Sequence, residues 1–273
     1  MKPIKRVALL HSLCSVGKAS LTNMIPVLST MGVEACPIPT AILSTHTGGY
    51  GAPASREMTA EYIRACAEHY AQNNISFDMI FVGYLGSVQM ASAVGYFLEQ
   101  FPDAVVILDP IMGDHGRFYS NLNETYATAF LQLFPHADMV VPNLTEACLL
   151  TGTTYKQALT ESEVQNICQK LHDIGVKDVI LTSVSTQNGR KDIAYSSASS
   201  MEILSMAAEK LEFHGSGDVF DAVLIGSYLQ KKTWKESILK AHEFVCACIR
   251  ESSKYNYPER EGLLVEKNLS LLV

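Results

Sequence analysis

Four consecutive residues, Gly215-Ser216-Gly217-Asp218, run directly into the largely apolar stretch Val219-Phe220-Asp221-Ala222-Val223-Leu224-Ile225. Two glycines and a small hydroxyl residue at the mouth of a helix make a place for an anion. The first backbone N–H groups of a helix have no intrahelical partners and carry partial positive charge. Without a Cβ in the way, an anion approaches them closely. Asp218 is out of keeping with a plain anion site, because its carboxylate repels the anion. A second task suits it, that of taking a proton from an attacking hydroxyl. The same residues also read as an ordinary capped helix, with Ser216 as N-cap and Asp218 favourable in the first turn.

Other polar segments carry a similar double reading. Asp109-Pro110-Ile111-Met112-Gly113-Asp114-His115-Gly116 sets two carboxylates on a glycine-containing loop behind an apolar run. Such a pair can hold a hydrated Mg²⁺, and turn chemistry selects the same residue types. In Pro142-Asn143-Leu144-Thr145-Glu146, Asn143 and Glu146 have the spacing of a capping box. Alternatively, both side chains reach toward a metal-bound phosphate, where Mg²⁺ keeps waters between itself and the carboxylate. Residues 44–51, Ser-Thr-His-Thr-Gly-Gly-Tyr-Gly, form either a mobile cover over a substrate or an exposed loop. His46 is of the right type for acid–base work but stands alone. Ser15-Val16-Gly17-Lys18-Ala19-Ser20 imitates a P-loop and fails as one. Ser12 occupies the position of the first glycine, and Ala19 that of the Mg²⁺-binding hydroxyl. Ser12 is left as a polar strand end that faces a ligand or closes a turn.

These segments need a scaffold, and the periodicity supplies one. Strands are predicted at 4–11, 33–38, 79–82, 104–108, 139–141 and 178–181. Helices are predicted at 20–31, 57–72, 88–100, 125–134, 144–150, 161–174, 216–230 and 235–252. Gln187-Asn188-Gly189-Arg190 is a hairpin signal, which with strands at 192–195 and 200–207 makes a small antiparallel addition. Alternating strands and helices imply right-handed βαβ units and a mainly parallel sheet. Ligands of such sheets bind beyond the carboxyl ends of the strands. Residues 11–12, 44–51, 83–84, 109–116, 142–146, 182–183 and 215–218 all follow strands, so they are expected to share one edge.

Composition narrows the class. The chain has 273 residues, 48% hydrophobic and 18% charged, as in a packed globular protein. No proline- or glycine-rich linker divides it, so a single domain over 1–273 is expected. The net charge of −7 argues against a nucleic-acid surface. No apolar run reaches membrane-spanning length, and the apolar part of the N-terminal segment is too short for a signal peptide. Seven scattered cysteines with no C-x-x-C read as free thiols in a reducing cytoplasm.

Taken together, the segments resemble the pyridoxal/pyridoxine kinase branch of the ribokinase-like superfamily, from Val7 to about Arg250. Ser44-Thr45-His46-Thr47-Gly48 is similar to its substrate-side S-x-H-T segment, and Gly83-Tyr84-Leu85-Gly86-Ser87 to G-Y-L-G-S. Asp109–Asp114 is similar to D-P-V-[ML]-G-D, Pro142–Glu146 to P-N-x-x-E, and Gly215–Asp218 to G-[TS]-G-D. The resemblance implies an α/β fold, a ribokinase-like three-layer αβα sandwich. It implies ATP-dependent phosphorylation of a B6 vitamer at its 5′-hydroxymethyl group. Asp218 would be the general base, with Gly215, Ser216 and Gly217 as the anion hole. Ser12, Thr47 and Tyr84 would hold the ring. Asp109, Asp114, Asn143 and Glu146 would serve phosphate and Mg²⁺, the metal itself lying near Asp109 and Glu146 through water. Thr182 and Ser183 would line the ATP site. Mg²⁺ with ATP is implied, a monovalent cation is left open, and a cytoplasmic homodimer is implied. The pattern departs at Val141, where some relatives have Thr, at Ser216, where Thr is commoner, and after Thr182, where one subgroup has Lys. Hydroxymethylpyrimidine kinases share the anion hole and the D-P segment and stand as the alternative. A binding module without catalysis is the other.

Overall fold

A computed structural model of the chain describes residues 3–185, 191–206, 209, 211 and 213–273. The chain divides into two compact units, Met1–Met58 with Glu209–Val273, and Thr59–Ala208. The first unit opens with β1 (Arg6–Val16), α1 (Leu21–Thr30), β2 (Glu34–Thr45) and β3 (Ser55–Glu57). The second follows with α2 (Ala60–Gln72), β4 (Met79–Val82), α3 (Val88–Gln100), β5 (Val105–Leu108), β6 (Gly113–Asp114), β7 (Arg117–Phe118) and α4 (Glu124–Leu131). It continues through β8 (Met139–Val140), α5 (Leu144–Thr151), α6 (Glu161–Asp173), β9 (Asp178–Ser185), β10 (Lys191–Ser197) and β11 (Ser200–Leu204). The chain then returns to the first unit for α7 (Ser216–Leu229) and α8 (Trp234–Ser252).

In the first unit, β1 and β2 run parallel, with Arg6 opposite Glu34 and Val16 opposite Thr45. β3 adds antiparallel to the outer part of β2, Leu43 facing Ser55. Val7, Ala8, Leu9 and Leu10 are fully buried, as their apolar run requires. The strand does not stop where the apolar run does. His11 and Ser12 extend it and stay buried, because side-chain partners described below satisfy them. β2 likewise runs on through Ser44 and Thr45, which the pattern assigned to a loop. Helix α7 is buried without a break from Asp218 to Ser227 and packs against α1 and α8. A helix apolar on nearly every side belongs in a core.

The second unit orders its strands β11-β10-β9-β8-β5-β4. β4, β5, β8 and β9 pair in parallel. β10 and β11 add antiparallel at one side, the addition expected from sequence. The hairpin signal at 187–190 and residue 207 lie outside the described residues. β6 and β7 form a separate two-stranded ribbon; at two residues each they leave no periodic trace. Among the described residues no helix is long and apolar enough to cross a membrane.

Candidate active site

In the first unit the site is built around the first turn of α7. Gly215 caps the helix in the left-handed region, φ 77° and ψ 7°. The cap is therefore Gly215 and not Ser216, which corrects the sequence reading: Ser216 is the first helical residue. Its hydroxyl instead turns back and donates to the Phe213 carbonyl at 2.7 Å. Gly217 stands exposed, and a Cβ added there would meet nothing within 4 Å. The amide end of α7 thus presents an open, side-chain-free face.

Asp218, third in the helix, is 8% exposed, and N–H donors hold both its oxygens. Oδ1 lies 2.9 Å from Nε2 of His11, and Oδ2 accepts the backbone N–H of Ser20 at 2.7 Å. Ser20 in turn sets its hydroxyl 2.8 Å from that of Ser12. Both oxygens of this carboxylate are thus fixed in direction at the helix N-terminus, and an ionised carboxylate so placed can take a proton from a hydroxyl.

Thr47 is exposed on the loop after β2. That loop meets the segment just ahead of Gly215, since the rings of His46 and His214 lie tilted with centroids 4.6 Å apart. Both ring nitrogens of His46 are engaged. Its Nδ1 accepts the Gly48 N–H at 3.0 Å, so its Nε2 carries the ring proton and donates to the Arg260 carbonyl at 2.7 Å. The P-loop imitation also has its lysine engaged elsewhere. The Lys18 ammonium pairs with Glu266 at 2.6 Å.

In the second unit the strand-end segments gather around α5. Asn143 caps that helix in a capping box: its side chain accepts the Glu146 N–H at 2.9 Å, and its own N–H donates to Glu146 Oε2 at 2.8 Å. The box also grips the loop after β5. Glu146 Oε1 accepts the Met112 N–H at 3.1 Å, Asn143 Nδ2 donates to the Gly113 carbonyl at 2.9 Å, and the Gly116 N–H donates to Thr145 at 2.9 Å. Burial pushes the Glu146 carboxyl well above the usual range, and the charge of Asp109 pushes it further. Asp114 takes no part in this pair; it is exposed and accepts the His115 N–H at 2.7 Å. Thr182 is bridged to Asn143 and donates its N–H to the Pro142 carbonyl at 2.9 Å. Ser183 is exposed, with φ 56°. Tyr84 is half-buried, its hydroxyl accepting from Asn121 at 2.7 Å.

The residues fit Mg²⁺ held through water. Two carboxylates, one fully buried, repel each other where a cation would relieve them. Among the described residues no three His, Cys, Asp or Glu side chains gather as a ready cage. Mg²⁺ typically binds one or two carboxylates together with waters and substrate phosphates.

Within each unit the grouping of strand-end segments holds. Sequence reasoning placed His11, Ser20 and Thr145 in polar segments without giving any of them a role of its own, and missed Asn121. A lone histidine in an apolar strand carries no signal of its own partner. Thr145 and Asn121 act through single hydrogen bonds to distant loops, which no spacing rule marks.

The phosphomethylpyrimidine kinase family model matches residues 17–261. A crystal structure with pyridoxal of a Bacteroides thetaiotaomicron protein described as a phosphomethylpyrimidine kinase is 33% identical, with TM-score 0.92 over 98% of this chain and 96% of that one. Pyridoxal kinase from Lactobacillus plantarum is 26% identical, with TM-score 0.90 over 98% of this chain and 96% of its own. A pyridoxal kinase from Corynebacterium diphtheriae is 26% identical over 94% of this chain and 92% of its own length. The chain spans about half the length of other curated relatives it matches: 47% of a bifunctional thiamine biosynthesis protein from Geobacter sulfurreducens, and 54% and 55% of two pyridoxal kinases. The α/β fold with mainly parallel strands and a small antiparallel addition is shared with these structures.

Proposed function

This chain belongs to the phosphomethylpyrimidine kinase family, phosphotransferases that act on an alcohol group, and on that premise we propose that it phosphorylates the 5′-hydroxymethyl group of a vitamin B6 vitamer with ATP, residues 1–273 acting as one kinase domain. The observation that carries this reading is Asp218, a buried carboxylate clamped by two N–H donors beside the open amide end of α7. Asp218 takes the proton as the hydroxyl oxygen attacks. The N–H groups of Gly215, Ser216 and Gly217 stabilise the moving phosphoryl group, so that catalysis rests on positioning and electrostatics.

Ser12, Thr47 and Tyr84 hold the pyridine ring. The flat, half-buried Tyr84 suits a flat heteroaromatic partner, and Ser12 keeps a lone pair beyond its bond to Ser20. Asp109, Asp114, Asn143 and Glu146 serve the phosphates, and Thr182 and Ser183 line the nucleotide side. Mg²⁺, held through water near Asp109 and Glu146, supplies neutralisation of phosphate charge. A cytoplasmic homodimer belongs to the same reading, and buried thiols such as those of Cys14, Cys168 and Cys248 suit a reducing compartment.

Hydroxymethylpyrimidine is the second reading, favoured by the family's name and by the thiamine-pathway relative. Pyridoxal in the 33%-identical Bacteroides structure supports the B6 side. Rates of ADP release with ATP and Mg²⁺, measured side by side, test the choice. We expect higher kcat/KM for pyridoxal, pyridoxine or pyridoxamine than for hydroxymethylpyrimidine. The reverse order, or no ADP with any of them, overturns the proposal.

A further inference from the structure

His11 reaches Asp218 from 207 positions away in the chain. It is 1% exposed, and its two ring nitrogens have distinct tasks. Nδ1 accepts the backbone N–H of Ser12 at 2.8 Å. A backbone N–H only donates, so Nδ1 carries no proton. The neutral ring then carries its proton on Nε2 and donates it to Asp218 Oδ1 at 2.9 Å. On the other oxygen the Ser20 N–H is aimed by an unusual backbone, φ 60° at a non-glycine residue.

The geometry points to His11 as a donor-only positioning residue for phosphoryl transfer: it fixes the direction of the Asp218 carboxylate. This rests on Asp218 being the base. In the step it serves, the substrate oxygen forms a bond to the γ-phosphorus while the bond from that phosphorus to the β–γ bridging oxygen breaks. The electron pair leaves with ADP, and the hydroxyl proton goes to Asp218. His11 does not relay that proton. A second proton, on Nδ1, would set two N–H groups against each other at Ser12. The other groups around the pair do not compete for the role. Cys14 is held as a neutral thiol, burial pushing it up to about 11. The Ser12 and Ser20 hydroxyls pair with each other, and Asp221 is a carboxylate one turn further along α7.

The test compares His11→Phe, which keeps a ring and removes the donor, with His11→Gln, which keeps an N–H at similar reach. Folding is checked by circular dichroism and melting, with pyridoxal and ATP–Mg²⁺ as substrates. A hydrogen bond to a charged group is worth enough to change a rate about 10- to 100-fold. His11→Phe is expected to lose about that much kcat, with KM for pyridoxal changed less than about twofold. His11→Gln restores kcat.

Folded His11→Phe with wild-type kcat overturns the inference, as does equal impairment of both variants, which marks a packing role. If His11→Phe does not fold, His11→Gln decides: near wild-type kcat supports the inference, and a loss as large as that of Asp218→Asn overturns it. Asp218→Asn runs in parallel. Undiminished turnover there overturns Asp218 as base, whereas its loss beside an unaffected His11→Phe overturns the positioning role alone.

Discussion

The α-carbon of Gly215 lies so close to the carbonyl of Lys18 that a Cβ on it would overlap that oxygen, and it would also stand 2.6 Å from Nδ2 of Asn23. With φ 77° besides, the position admits only glycine without strain. Two residues on, the opposite holds. Gly217 has open space where a side chain would go and an ordinary helical φ. One glycine lets the loop close against its neighbour, and the other leaves room in front of the amides.

The two glycines should therefore fail differently. Gly215→Ala is expected to lower the melting temperature, the left-handed conformation alone costing about 1 kcal/mol and the overlap adding to it. Gly217→Ala should melt at or above the wild-type temperature, since alanine is preferred in a helix by up to ~1 kcal/mol. Its turnover should nevertheless fall, because the methyl group occupies the open face. Thermal melts paired with kcat check this; a fully active Gly217→Ala would mean that no anion binds there.

How much of this was legible in the sequence depends on what kind of contact made each part. The box of Asn143 and Glu146 was readable because its logic is local: both partners lie within one helical turn. The apolar strand cores and the helices were readable from periodicity. Strand ends were not. β1 continues past its predicted end at His11, through Ser12 to Val16, where Ser20, distant from the strand core, satisfies Ser12, and an apolar pattern stops where polar residues begin. β3, Ser-Arg-Glu and fully exposed, is a strand only because Leu43 and its neighbours offer an edge. The Gly215/Ser216 choice of cap turned on a backbone φ that the residue types left open.

The capping network around α5 should matter more than an equivalent network on the surface. Thr160 caps α6 with Glu163 at an exposed position, and Thr160→Ala should cost ~0.5–2 kcal/mol in denaturant unfolding. Asn143→Ala removes the same kind of cap and also strips the Gly113 carbonyl of its donor. It should cost more than Thr160→Ala. Equal losses would show that the loop after β5 does not depend on Asn143.

Glu146 gives a pH signature. Its carboxyl is raised, first by burial and then by Asp109, above the ordinary 4.5. A raised folded-state value makes the protonated form the one that favours folding. That contribution is fully present below the unfolded value and is lost as pH rises through the folded one. Glu146→Gln, which does not ionise, lacks this loss. The melting temperature of Glu146→Gln relative to wild type should therefore climb as pH is raised from about 4.5 toward neutrality, whatever constant offset its lost acceptor adds. A flat difference across that range would contradict the raised value.

Thiol chemistry should follow burial. Burial pushes the Cys14 thiol to about 11, and those of Cys168 and Cys248 to about 12, so little thiolate forms at pH ~8. Cys36 and Cys66 are only half-buried. Alkylation of the native protein, mapped by peptide mass spectrometry, should label Cys36 and Cys66 first and reach Cys14, Cys168 and Cys248 only on unfolding. Early labelling of Cys14 would mean that the Ser12–Ser20–Asp218 cluster opens readily.

The central claim is a choice of hydroxyl, and a competition reads it directly. Pyridoxal and hydroxymethylpyrimidine are offered together at equal concentration with ATP and Mg²⁺, and the phosphorylated products are identified by mass spectrometry, with Asp218→Asn as the control. The 5′-phosphate of pyridoxal should dominate in the wild type and be absent from the control. Predominance of the pyrimidine phosphate, or the same pyridoxal product from Asp218→Asn at an undiminished rate, would contradict the account.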